Sequence, residues 1–76
     1  MKELVGFLAR ELVDDPDAVV VDESHDDRGV LLTVHVAADD MGKVIGRGGR
    51  TAKAIRSVVR AAATRQDVFA RVDIAD

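Results

Sequence analysis

The sequence predicts an α+β sandwich, a three-stranded mixed sheet with three helices on one face. Three observations carry this expectation. Lys2–Asp14 and Arg50–Arg65 have the apolar spacing of amphipathic helices. Ala18–Ser24, Val30–Val36 and Val68–Ile74 have the β-branched content or the strict alternation of strands. The order is helix, strand, strand, helix, helix, strand, and a crossover through helices within one sheet normally joins parallel strands with a right-handed connection.

In the first helix Leu4, Val5, Leu8, Ala9, Leu12 and Val13 form one broad face, with Phe7 off its centre among polar side chains. Asp14-Asp15-Pro16-Asp17 ends it, because proline and the residue before it both resist helix. Three consecutive valines open the first strand, and the turn Asp26-Asp27-Arg28-Gly29 leads into the second as an antiparallel hairpin. Leu32, Val34 and Val36 point to one face and Leu31, Thr33 and His35 to the other. Asp39 or Asp40 is placed to N-cap a short helix, Met41–Ile45, which Gly46–Gly49 breaks. In the long helix Ile55, Val58, Val59 and Ala62 are read as the apolar stripe, opposite Arg50, Lys53, Arg56 and Arg60. Gln66-Asp67 turns the chain into the last strand, where Val68, Ala70, Val72 and Ile74 alternate with Phe69, Arg71 and Asp73.

Seventy-six residues make one expected domain, 1–76, near the size at which a single core is just sufficient. Aliphatic side chains supply that core almost alone, since Phe7 and Phe69 are the only aromatic residues. The chain has no cysteine, hence no disulfide framework, thiolate nucleophile or sulfur metal site. No apolar run reaches bilayer length, and the acidic start is unlike a secretory signal, so a soluble, cytoplasmic protein is expected. The net charge of −3 hides an asymmetry: residues 1–40 carry 3 basic and 11 acidic side chains (3 − 11 = −8), and residues 41–76 carry 8 and 3 (8 − 3 = +5). Salt screens over about 8–10 Å, so a ligand feels chiefly the nearby face.

Seven of those cations and no acid lie between Met41 and Gln66, around Val44-Ile45-Gly46-Arg47-Gly48-Gly49. A glycine turn entering a helix offers unpaired amides and partial positive charge, and so suits an anionic oxygen. The amides of Gly48, Gly49 and Arg50 are the expected donors, with Gly46 and Gly49 letting a phosphate approach closely. Arg47 is the expected direct phosphate contact, supported by Lys43, Arg50 and Lys53. Val44 and Ile45 have two readings, core packing against the sheet or the floor of a groove for bases. Val30 and Leu32 are core residues or a second groove wall. With almost no aromatic residues, the groove lacks the stacking that single-strand binders use, so affinity and sequence preference are expected to be modest.

The stretch Gly42-Lys43-Val44-Ile45-Gly46-Arg47-Gly48-Gly49-Arg50-Thr51, set between two helices after a hairpin, resembles a KH domain of type II topology, with Gly46-Arg47-Gly48-Gly49 as its GXXG loop. Over the whole chain the sequence is similar to the small bacterial single-KH-domain proteins of the KhpA type. Gly48 departs from the larger polar residue often found there, which loosens the loop and removes one side-chain contact. The resemblance implies binding of single-stranded RNA at the loop, roughly four nucleotides long. It implies a homodimer or a heteromer with a KhpB-type KH protein. It also implies an RNA-chaperone or post-transcriptional role linked to cell shape and cell-wall homeostasis.

Rival chemistries find little support. His25 and His35 are the only histidines and lie in or beside strands, and Ser24 and Ser57 complete no nucleophilic arrangement with them. The acidic groups at Asp14, Asp15 and Asp17 and at Asp22, Glu23, Asp26 and Asp27 lack calcium-loop spacing. Thr51 stands where a dinucleotide loop needs glycine, and no Walker ending follows. No enzyme activity, cofactor or metal is expected. The remaining alternative is an interaction module that dimerises through Phe7, Leu31 and Phe69 and has little RNA binding of its own.

Overall fold

The computed structural model describes residues 1–76. Its elements are α1 (Lys2–Leu12), β1 (Val20–Asp26), β2 (Gly29–His35), α2 (Met41–Ile45), α3 (Arg50–Arg65) and β3 (Ala70–Ala75), with 3-10 turns at Pro16–Ala18, Ala38–Asp40 and Arg47–Gly49. The sheet order is β1-β2-β3, antiparallel between β1 and β2 and parallel between β2 and β3. This is the α+β architecture expected of the sequence, with α-β-β-α-α-β order and a mixed sheet. No helix is long and apolar enough to cross a membrane.

The boundaries shift for local reasons. Val13 is extended and Asp15, which precedes proline, is non-helical, so α1 stops before the Asp-Asp-Pro segment. Pro16–Ala18 then forms a turn of its own, which delays β1 to Val20. The hairpin pairs Asp26 with Gly29, leaving a two-residue loop, so β1 runs further than the sequence suggests. At the other end α3 closes with Asp67 at φ 58°, while Val68 donates its amide to the Ala63 carbonyl at 3.0 Å. That is a left-handed helix stop of the Schellman type, and it keeps Val68 and Phe69 out of β3.

The core is a layer of small and medium aliphatic side chains. Leu32, Val34 and Val30 of β2 face Val5 and Ala9 of α1, Val44 of α2, and Ile55, Val59 and Ala63 of α3. Val72 and Ala70 complete the sheet side. Val30 and Leu32 are therefore core residues and line no groove. In α3 the buried stripe is Ala52, Ile55, Val59 and Ala63. The stripe read from sequence is rotated toward α1 relative to this one: Val58 is 45% exposed, and Ala62 is half-buried. Ala52 and Ala63 are buried instead, Ala63 within the core cluster. A similar rotation affects α1, which buries Val5, Gly6 and Ala9 and leaves Leu12 exposed.

Candidate nucleic-acid interface

The loop after α2 is built by three positive-φ glycines. Gly46 has φ 78° and ψ 169°, a backbone region essentially closed to other residues. A Cβ there would lie 2.2 Å from Thr51 Oγ1 and 2.8 Å from the Thr51 nitrogen, so α3 packs directly against the bare Gly46 backbone. Gly48 takes φ 64° and ψ 18°, the left-handed helical region, and a Cβ added there would meet nothing within 4 Å. Glycine at 48 thus fits the turn's conformation, and its outer side is open space.

Donor assignments change accordingly. Gly49 donates its amide to the Gly46 carbonyl at 3.1 Å, and Arg50 donates to Arg47, closing the 3-10 turn. Two of the three amides expected to face a ligand are therefore engaged within the chain. Arg47 and Gly48, the first residues of the turn, hold the amides with no earlier carbonyl in it to receive them. Arg47, Gly48, Arg50 and Lys53 are all exposed, and Gly49 is half-buried.

Lys43 is placed differently from its neighbours in sequence. Its ammonium lies 3.2 Å from Asp14 and 3.4 Å from Asp40. Asp14 and then Asp40 raise its pKa and hold it charged, but that charge is already met by two carboxylates. Asp40 is the one buried charged residue, at 2% exposure. It makes no side-chain cap at α2; its two carboxylate oxygens instead accept the amides of Asp14, at 3.2 Å, and Asp15, at 3.1 Å. Burial pushes the Asp40 pKa up, but the two amides and the Lys43 ammonium outweigh it, leaving the pKa below the ordinary 3.8. This cluster ties the end of α1 to the start of the loop-bearing helix.

The Val-Ile pair before the loop divides. Val44 is fully buried, so it cannot touch a ligand and its place in a binding surface is corrected to core. Ile45 keeps 37% exposure and lines a groove of about 490 Å³ with Gly49, Ala52 and Arg56 on the helical side. Asp73, Ile74 and Ala75 of β3 form its opposite wall. Arg56 spans the gap: its Nε donates to the Val72 carbonyl at 3.1 Å. Sequence reasoning missed this wall, Ala52 and the role of Asp40. A lysine three residues after an aspartate at a helix start was the available signal for Asp40.

By helical spacing α3 presents two flanks beside its core stripe. Arg56, Arg60, Lys53 and Arg50 fan out on the β3 side, while Thr51, Ala54, Val58 and Ala62 fan out toward α1. On that second flank Leu8, Leu12, Ala54 and Val58 line an apolar hollow of about 240 Å³. The histidines lie away from the loop, in β1 and at the end of β2. His25 Nε2 is 2.9 Å from Glu23, and His35 Nε2 is 3.0 Å from Asp22.

Residues 2–74 match the KH domain of the KhpA/KhpB family. A Halalkalibacterium halodurans protein described as RNA-binding protein KhpA is 55% identical over 76 residues, covering 100% of both chains. A Mycobacterium tuberculosis protein of the same description is 49% identical over 74 residues, 97% of this chain and 89% of that one. Among solved structures, Aquifex aeolicus Era superposes with a TM-score of 0.64 at 16% identity, covering 97% of this chain. The chain spans 29% of Era's length, and the likeness is one of fold.

Proposed function

The chain belongs to the KhpA/KhpB KH-domain family, and on that premise we propose that it binds single-stranded RNA at Gly46–Gly49 and along the groove beside β3. The observation that carries this reading is the open outer side of the loop, set between the cationic flank of α3 and that groove. A phosphate receives the amides of Arg47 and Gly48 and the Arg47 guanidinium, with Arg50 and Lys53 adding attraction. Lys43 acts on RNA indirectly, by fixing α2 through Asp14 and Asp40. Asp73 on the opposite wall repels phosphate, so the sugar-phosphate backbone follows the arginine side and the bases face β3. Ile45, Ala52 and Ile74 give those bases apolar contact without stacking, in a footprint of roughly four nucleotides. This is binding without a reaction, and it asks for no cofactor.

A protein partner is part of the same reading. The strip formed by Leu8, Leu12, Ala54 and Val58 lies on the side of α3 away from Arg56 and Arg60, so a second copy of the chain can cover it while both loops stay free. Two loops on one dimer strengthen weak contacts by avidity. This strip stands in place of Phe7, Leu31 and Phe69 as the proposed dimerisation surface; Phe7 and Phe69 are exposed, and Leu31 is half-buried. Family membership extends the proposal to a cytoplasmic, post-transcriptional or RNA-chaperone role with a KhpB-type partner, bearing on cell shape and wall homeostasis.

The test is fluorescence anisotropy of labelled single-stranded RNA across about 50–200 mM salt. Two to four neutralised phosphates, at about −0.7 each, give a logarithmic slope of about −1.5 to −3. Arg47→Asp combined with Gly48→Asp abolishes binding and preserves the circular dichroism spectrum, because aspartate tolerates the left-handed conformation of residue 48. Binding that is flat with salt, or that survives in the double variant, rejects the loop as the site.

A further inference from the structure

Phe69 stands just before β3 and is 53% exposed, although it is one of only two aromatic residues in the chain. It lines a second hollow of about 260 Å³ with Arg56, Arg60, Arg71, Val72 and Asp73. Arg71 is engaged elsewhere, its guanidinium paired with Asp26. Arg56 lines both this hollow and the RNA groove, and its bond to the Val72 carbonyl fixes it at their junction. The two hollows are therefore consecutive along β3, joined at the Arg56 guanidinium and the Asp73 carboxylate.

Deepening the RNA reading, and resting on it, we infer that this hollow is an additional nucleotide subsite. One base stacks on Phe69, and its phosphate lies between Arg56 and Arg60. The chemistry is specific to that class of ligand: a planar ring face beside two cations matches a base and its phosphate, and matches neither an aliphatic side chain nor a lone anion. The volume is below the roughly 300–1,000 Å³ of drug-sized sites, which suits one nucleotide and nothing longer. At about 3.3 Å per residue, Phe69 lies roughly 16 Å along β3 from Ile74. Only a strand that runs past the groove reaches it. The aromatic contact missing from the groove is thus supplied at its exit, and ligand length decides whether it is used.

The experiment compares an RNA tetranucleotide with an octanucleotide. Phe69→Ala lowers octanucleotide affinity about 5- to 150-fold, the equivalent of about 1–3 kcal/mol for one stacked base, and leaves tetranucleotide affinity unchanged. Phe69→Trp keeps octanucleotide affinity, and its indole fluorescence is quenched by the octanucleotide alone. An octanucleotide abasic at the two outer positions of each end, which keeps only the roughly four bases the groove holds, binds Phe69→Trp without quenching. Unchanged octanucleotide affinity in Phe69→Ala, or quenching by the tetranucleotide or by the abasic-ended strand, overturns the subsite. The loop reading fails separately: there the Arg47→Asp, Gly48→Asp variant would keep its tetranucleotide affinity.

Discussion

Alanine at position 46 and alanine at position 48 remove the same hydrogen from neighbouring glycines, yet the structure assigns them different costs. At Gly46 the backbone lies at φ 78° and ψ 169°, where a non-glycine residue costs about 1–3 kcal/mol. The added Cβ also meets Thr51, with Oγ1 at 2.2 Å, Cβ at 2.7 Å and the backbone nitrogen at 2.8 Å. The hydroxyl can rotate away, but the nitrogen belongs to the first turn of α3, so relief requires moving helix against loop. Such overpacking adds about 1–3 kcal/mol. Gly46→Ala should therefore cost about 2–6 kcal/mol. For a 76-residue chain, total stability is about 4–11 kcal/mol at roughly 0.05–0.15 kcal/mol per residue. Gly48→Ala meets open space and bears only the left-handed penalty, about 1–2 kcal/mol. Urea unfolding followed by circular dichroism measures both, as midpoint shifts at unchanged slope. A cost for Gly46→Ala no larger than that for Gly48→Ala would refute the packing of Thr51 on this glycine.

Two further perturbations probe the scaffold and the partner surface. Asp40 has a folded pKa below its ordinary 3.8, so its stabilising contribution is present above about pH 4 and disappears as pH falls through the lowered value. Asp26, held down by Arg71, adds to the same acid limb. Asp40→Asn should lower the melting temperature at neutral pH by several degrees and flatten the loss of stability below about pH 4, read by thermal scans across pH. Val58→Asp, at a position 45% exposed, should leave the circular dichroism spectrum intact and convert a dimer to a monomer in sedimentation at micromolar concentration. A parent chain that is already monomeric there refutes the α1–α3 strip as a self-association surface.

The element order and the mixed sheet were legible because each depends on local signals: β-branched alternation, Asp-Asp-Pro, and a hairpin with a short turn. The glycine turn and its surrounding cations were legible for the same reason. What periodicity did not reveal was which of two adjacent apolar flanks faces the sheet. Ile55 and Val59 lie between them, and only tertiary packing chooses Ala52 and Ala63 over Val58 and Ala62. The Val44 and Ile45 pair shows the same difficulty, since a five-residue helix gives too little periodicity to rank two neighbours. Lys43 looked like its fellow cations until Asp14 and Asp40, distant or differently placed in sequence, closed around it. The β3 wall of the groove depends on a crossover that brings residues 73–75 opposite the loop, which no local pattern encodes.

The division of α3 into core stripe, arginine flank and apolar flank assigns most of that helix's circumference to three separate tasks. Between the two flanks a solvent-facing sector, Ser57, Ala61 and Thr64, is where substitutions drift freely. Deep mutational scanning should find the tolerance of α3 graded by the property assayed: growth under heat for one sector, ligand capture for the next, and complex size for the third. A tag or label intended to be silent belongs at Ser57 or Ala61, which are exposed and lie outside all three sectors.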